Sequence, residues 1–149
     1  MTAASFYPSK VAASEDSIFS EMATAQPIFA KNGMVVSQEA IASQIGVDIL
    51  KRGGNAIDAA VAVGFALAVT LPRAGNIGGG GFMLVHIAKD NKTIAIDYRE
   101  TAPAKAHKDI FLDEKGNAVD KLSREHGLAD GVPGTVMGME MALKQYGTM

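Results

Sequence analysis

The clearest candidate for binding chemistry in the sequence is Arg99, within the stretch AIDYRETAP at 95–103. It comes at the end of a segment with the pattern of a strand, so we expect a fixed guanidinium at the end of a mostly buried strand. The planar fork of an arginine suits a carboxylate bound through two parallel hydrogen bonds. A salt bridge to Asp97, Glu100 or another acidic side chain explains the same pattern, and spacing alone leaves both interpretations open.

A run of four glycines, at 78–81, is the second unusual feature. Each ordered glycine costs about 0.5–1 kcal/mol relative to alanine, so a run predicts close approach to the backbone or positive φ angles. A Walker phosphate loop requires Lys and Ser or Thr after its glycines, whereas Phe82 and Met83 follow here. The dinucleotide-binding pattern fails too, because these glycines precede a predicted strand instead of opening a helix. The sequence therefore favours a tight turn with close strand or helix packing over nucleotide binding.

The sequence gives little support to a cysteine, histidine-metal or serine catalytic site. The chain has no cysteine, which excludes a thiol nucleophile, a disulfide framework and thiolate metal sites. His86, His107 and His126 lack the spacing of two metal ligands on one element, so each is interpreted as a structural or surface histidine. No G-x-S-x-G segment is present to expose a serine nucleophile. We therefore predict no metal and no cofactor.

Composition indicates a globular chain. Of 149 residues, 48% are hydrophobic and 20% are charged, and the formal net charge is −2. Lysines and arginines are scattered, so no nucleic-acid-binding face is predicted. The most apolar run, 56–71, is too short for a membrane span and contains Asp58, so it is interpreted as a core helix. The sequence as given begins without a basic segment followed by an apolar run, so no signal peptide is predicted in it.

The elements that must position these residues are predicted helices and strands, with the helices outside and the strands inside. A short strand at 33–37 is predicted to lead into a helix capped by Ser37 and stopped at Gly53 and Gly54. Asn55 is predicted to cap a second helix, apolar almost all round, which Pro72 ends.

Two strands, at 82–88 and 93–98, are predicted to pair as an antiparallel hairpin around the turn at 89–92. The first of them is apolar on both faces and is expected to be central in a sandwiched sheet. A turn at 113–117 and a final helix follow, with Pro133 near the start of the helix and Gly147 just beyond its end. The predicted class is a layered α+β fold.

Four segments, at 53–85, 96–106, 111–117 and 131–149, resemble the beginning of the large subunit of a bacterial gamma-glutamyltranspeptidase, or glutathione hydrolase. The resemblance runs from about Gly33 to the last residue, in order and without a visible gap. Residues 1–32 are accordingly predicted to be an extended leader, and 33–149 part of a large-subunit domain.

The resemblance implies an N-terminal-nucleophile hydrolase, an αββα sandwich of which only the N-terminal portion is present. The family's precursor cleaves itself, and the new N-terminal Thr of the small chain forms a γ-glutamyl-enzyme. The acyl group then passes to water, an amino acid or a dipeptide. The implied partners are a γ-glutamyl substrate such as glutathione, the remainder of the large subunit and the small subunit. The fragment alone is expected to be inactive, and the family implies a periplasmic or extracellular enzyme.

Within the family's D-F-R-E motif, represented here by residues 97–100 with Tyr98 in place of Phe, the arginine binds the α-carboxylate of the γ-glutamyl group. The resemblance thus implies that Arg99 is a substrate-binding residue, and it assigns no catalytic residue to this chain. It also places the glycine run in the packed interior, against another part of the protein.

Two alternatives remain open at this point. A related acylase acting on glutaryl-cephalosporin-type amides shares the scaffold, and the residues that discriminate it lie mostly outside this chain. A truncated, non-catalytic paralogue that binds an amino acid or a partner chain is the second.

Overall fold

The computed structural model describes residues 28–149, of which Asn32–Met149 form one compact unit. Most of the predicted leader therefore lies outside the described residues, and the predicted domain boundary stays a prediction. Residues 33–37 form no strand, contrary to the sequence interpretation. Val35 instead packs against helix residue Gly46, where an added Cβ would lie 2.7 Å from the valine Cγ1. Of the two valines, Val35 thus serves side-chain packing, whereas Val36 is 81% exposed.

Helix α1 comprises Ala40–Lys51, and its N-cap is Glu39 instead of the predicted Ser37. The Ser37 hydroxyl accepts a hydrogen bond from the Glu39 N–H (3.3 Å) and donates one to the Glu39 carbonyl (2.9 Å), so it stabilises the approach to the helix. The predicted stop is confirmed. Gly53 has φ +95°, a conformation that glycine adopts without strain, and the chain turns there.

Helix α2 comprises Ala56–Thr70 and begins with the predicted cap. The Asn55 side chain accepts hydrogen bonds from the N–H groups of Ile57 (2.8 Å) and Asp58 (3.0 Å), while the Asp58 carboxylate accepts from the Asn55 N–H (2.8 Å). This capping box satisfies N–H groups that the helix itself leaves unpaired. The prediction of no solvent face is wrong for the second half of the helix, since Val69 is 80% exposed in the described structure.

Strands β1 (Phe82–Ile87) and β2 (Lys92–Asp97) form the predicted antiparallel hairpin, with Phe82 opposite Asp97. A short 3₁₀ turn joins them. Val85 and Ile96 face the core, whereas Phe82 and Leu84 are 67% and 77% exposed. Within the described residues the sheet has two strands and one open face, so the expected central position of β1 is not observed there.

Two more helices follow the hairpin. Helix α3 spans Asp120–Arg124, and helix α4 spans Thr135–Tyr146. Pro133 lies two residues before α4 rather than at its first position. The buried cluster draws on α2, the hairpin and α4; its members are Val61, Val85, Ile96, Tyr98, Met139 and Ala142. The chain is thus α+β as predicted, and no helix among residues 28–149 is long and apolar enough to cross a membrane.

Candidate functional site

Arg99 lies two residues beyond the end of β2, at the point where the chain leaves the hairpin. Its backbone N–H donates a hydrogen bond to a carboxylate oxygen of Asp97 (3.0 Å), which fixes the backbone where the ladder ends. The residue is exposed. The expectation of a mostly buried strand is wrong for β2, where Ile96 is the one buried residue, because among the described residues the hairpin packs through one face.

The guanidinium of Arg99 has no carboxylate partner within the part of the chain that the structure describes. The ion pairs found there join Lys51 to Asp48 and Lys144 to Glu140. The salt bridge from Arg99 to Asp97 or Glu100, left open by the sequence, is therefore not formed. The donors of this side chain remain available for a ligand carboxylate.

The residue that precedes Arg99 is buried. Tyr98 is 9% exposed and belongs to the core cluster, whereas Arg99 is exposed. Burial raises the pKa of the Tyr98 hydroxyl, which keeps it neutral in the core. An aromatic ring at this position thus serves as an apolar anchor, and the Tyr-for-Phe difference leaves that role intact.

The glycine run lies directly against the backbone of residues 98–100. A Cβ added to Gly80 would lie 2.6 Å from the Tyr98 carbonyl oxygen and 2.7 Å from the Glu100 nitrogen. Gly81 and Tyr98 exchange backbone hydrogen bonds of 3.4 and 3.0 Å. None of the four glycines has a positive φ, and close approach of residues 98–100 explains Gly80 and Gly81, which agrees with the packing that the sequence favoured. The nearest atom to a Cβ added to Gly78 is 3.7 Å away, so close packing does not extend over the whole run. Gly79, Gly80 and Gly81 are half-buried rather than fully interior.

Two open clefts lie beside this segment, and Glu100 borders both. One is also lined by Pro103, His107, Phe111 and Asp130. The other is lined by residues of the glycine run together with Asn76, Thr135 and Met139. Glu100, the residue after Arg99, thus borders both clefts, whereas Arg99 itself lines neither.

Of the three histidines, His107 lines one of the two clefts, whereas the other two make local contacts. The His86 ring lies 3.1 Å from the Thr93 hydroxyl across the hairpin, and the His126 ring accepts a hydrogen bond from the Leu128 N–H (3.1 Å). These contacts are structural, as the sequence interpretation favoured. Among residues 28–149 there is no group of three or more potential metal ligands.

A second polar cluster surrounds the Asp58 carboxylate at the start of α2. The side chain is 5% exposed and accepts hydrogen bonds from the Asn55 N–H (2.8 Å), the Thr148 hydroxyl (2.7 Å), the Thr148 N–H (3.1 Å) and the Met149 N–H (3.4 Å). Burial raises the pKa of Asp58, but the hydrogen bonds from Thr148, Asn55 and Met149 outweigh burial and hold the pKa below its usual value. This cluster joins α2 to the end of α4 and is a structural feature that sequence reasoning missed.

Comparisons with known proteins agree with the resemblance predicted from the sequence. A family model described as Gamma-glutamyltranspeptidase matches residues 42–149. The chain is similar to the glutathione hydrolase proenzyme of Escherichia coli strain K12, with 63% identity over 123 residues, 83% of this chain and 21% of the relative. This chain thus spans about a fifth of the length of the curated relatives that it matches.

Solved structures give the same result. The fold is similar to that of Helicobacter pylori gamma-glutamyltranspeptidase, with a TM-score of 0.77 and 58% identity over 83% of this chain and 35% of that chain. A cephalosporin acylase from Bacillus halodurans is more distant, with a TM-score of 0.64 and 32% identity over 82% of this chain and 22% of that chain.

Proposed function

The chain belongs to the gamma-glutamyltranspeptidase family, and we propose that it forms part of an enzyme that cleaves γ-glutamyl amides and transfers the γ-glutamyl group. Water is the acceptor in hydrolysis, and an amino acid or peptide is the acceptor in transfer. The relatives are named glutathione hydrolase proenzymes, which supports glutathione as a substrate. The observation that carries the proposal is the exposed guanidinium of Arg99, which has no ion pair among residues 28–149, on a backbone contacted by Asp97 and Gly80.

In this proposal Arg99 binds the α-carboxylate of the γ-glutamyl group through two parallel hydrogen bonds. Fixing that end of a flexible glutamyl chain places the γ-carbonyl carbon within reach of a nucleophile, and such positioning lowers the barrier to amide cleavage. The ligand would lie beside Glu100, whose carboxylate disfavours a second acidic group at the same place. That arrangement would favour substrates whose only anion near Arg99 is the α-carboxylate.

The nucleophile is proposed to come from outside these 149 residues. A small-subunit Thr hydroxyl attacks the γ-carbonyl carbon, the amide nitrogen leaves with a proton, and the resulting γ-glutamyl ester passes its acyl group to the acceptor. The relatives are named proenzymes, which supports a precursor that is processed into two subunits. The remainder of the large subunit and the small subunit are therefore the proposed partners.

The same proposal includes an N-terminal-nucleophile αββα sandwich and export to the periplasm or beyond the cell. The open apolar face of the hairpin, with Phe82 and Leu84 exposed, supports the sandwich, because a second sheet packed face to face would cover it. The acylase alternative is less well supported, since identity to the acylase is 32% against 63% to the E. coli glutathione hydrolase.

A graft tests the role of Arg99. The matching segment of the E. coli proenzyme is replaced by this chain, and chromophore release from a γ-glutamyl anilide is measured. In this grafted enzyme we expect Arg99→Lys to lose the bidentate geometry and about 2–5 kcal/mol of substrate capture. That loss corresponds to a roughly 30- to 5,000-fold fall in kcat/KM.

Arg124→Lys is the matched control, because Arg124 is exposed at the end of α3 and far in sequence from the glycine run. It should leave kcat/KM unchanged. An unchanged kcat/KM for Arg99→Lys would remove Arg99 from the substrate site. A graft that prefers a glutaryl amide over the γ-glutamyl anilide would support the acylase, and an inactive graft that folds and is processed would support the non-catalytic paralogue.

A further inference from the structure

A second glycine-containing segment, at 131–138, also lies against the backbone of residues 98–100. A Cβ added to Gly134 would overlap the Tyr98 carbonyl and lie 3.3 Å from the Arg99 carbonyl oxygen. A Cβ added to Gly138 would overlap the Tyr98 ring, and one added to Gly131 would lie 2.9 Å from the Glu100 Cβ. Two of these glycines, Gly134 and Gly138, thus lie closest to Tyr98, and Gly131 lies closest to Glu100.

Hydrogen bonds connect the two glycine segments to each other and to the arginine segment. The Gly79 carbonyl accepts from the N–H groups of Gly134 (2.9 Å) and Thr135 (3.1 Å). Thr101 and Val132 exchange backbone hydrogen bonds of 3.3 and 2.8 Å as an isolated antiparallel bridge. The backbone of residues 98–101 is therefore enclosed between two segments that are themselves joined, about fifty residues apart in sequence.

From this enclosure we propose that Gly80 and Gly134 are positioning residues for the substrate-binding arginine, an inference that rests on the proposed function. An exposed arginine has many rotamers, so its direction depends on the backbone that carries it. Here the peptide groups on both sides of Arg99 are fixed by contacts too close to admit a methyl group. Any side chain at Gly80 or Gly134 would displace that backbone and move the guanidinium relative to the bound carboxylate.

The experiment measures recognition of the α-carboxylate rather than turnover. In the grafted enzyme, inhibition constants are determined for glutamate and for isoglutamine, in which the α-carboxylate is an amide. The ratio of the two constants reports the preference for the anion and does not depend on the fraction of folded enzyme. We expect Gly80→Ala and Gly134→Ala each to lower that preference about tenfold to a hundredfold, because a displacement of about 1 Å at a site has effects of that size.

Two glycines offer matched controls. The nearest atom to a Cβ on Gly78 is 3.7 Å away and the nearest to one on Gly127 is 3.8 Å away, and neither residue has a positive φ. Gly78→Ala and Gly127→Ala should therefore leave the ratio unchanged. A preference retained in both Gly80→Ala and Gly134→Ala would overturn the positioning role, and so would a failure of both variants to fold while Gly78→Ala folds normally.

Arg99→Ala separates this inference from the proposed function. In one outcome, Arg99→Ala abolishes the preference for glutamate while the glycine variants keep it. That result would support carboxylate binding by Arg99 and contradict the positioning role of Gly80 and Gly134. If Arg99→Ala keeps the preference, Arg99 does not bind the carboxylate, and the positioning role falls with it.

Discussion

Asp58 and Arg99 are both charged residues beside tightly packed backbone, yet the structure treats them in opposite ways. The Asp58 carboxylate is 5% exposed and accepts hydrogen bonds from Asn55, Thr148 and Met149. The Arg99 side chain is exposed and, among the described residues, has neither an ion pair nor a hydrogen bond, although its backbone is enclosed by two glycine segments.

The difference separates a charge that stabilises the fold from a charge available for binding. A buried carboxylate whose lone pairs are occupied by internal donors contributes to stability and has little capacity left for a ligand. An arginine with free donors on a fixed backbone contributes little to stability and is suited to a ligand carboxylate. Substitutions at the two positions should therefore move different observables.

The largest effect on stability is expected from Asp58→Ala in the grafted enzyme. Removing the carboxylate leaves the donors of Thr148, Met149 and Asn55 without their acceptor. We expect the free energy of unfolding to fall by about 2–4 kcal/mol, measured by urea titration. The ratio of inhibition constants for glutamate and isoglutamine should not change.

Asp113→Ala is the control for that loss. Asp113 also accepts backbone hydrogen bonds, from the N–H groups of Lys115 and Asn117 at 2.8 Å, but it lies in an exposed turn. Asp113→Ala should therefore lower the free energy of unfolding by clearly less than Asp58→Ala does. Equal losses at the two positions would show that burial of the Asp58 cluster is not what matters.

Acidification should produce a smaller effect that also depends on Asp58. Hydrogen bonds hold the folded-state pKa of Asp58 below its ordinary value of 3.8. The stabilisation is therefore complete above the unfolded-state pKa and declines as the pH falls through the folded-state pKa. Urea titrations of the grafted enzyme at a series of pH values should show a decline below pH 3.8 that is less steep in Asp58→Asn, and equal slopes would contradict the assignment.

The smallest effect on stability is expected from Arg99→Ala. Because the guanidinium has no partner in the described structure, the free energy of unfolding should change by about 0.5 kcal/mol or less. The same variant should lose its preference for glutamate over isoglutamine. A loss of stability as large as that of Asp58→Ala would mean that Arg99 has a structural partner within the complete enzyme.

Local signals in the sequence predicted much of this fold because short-range physics decides them. The Asn55 cap, the hairpin around 89–92 and the helix stop at Gly53 depend on residues that are neighbours in the chain. Errors occurred where distant contacts decide: the 33–37 segment packs on Gly46 instead of pairing as a strand, and β1 has an open apolar face among the described residues. A periodic pattern indicates which side chains are apolar and leaves open what covers them.

The sequence by itself determined the family, the α+β class and the position of Arg99, since motif identity and residue type are local properties. Only the tertiary structure decided that Arg99 has no ion pair among the described residues and that Gly80 and Gly134 lie against its backbone. It also decided that Asp58, within the predicted core helix, accepts hydrogen bonds from Thr148 and Met149 beyond α4. These contacts join residues 19 to 90 positions apart, and spacing along the chain carries no information about such approaches.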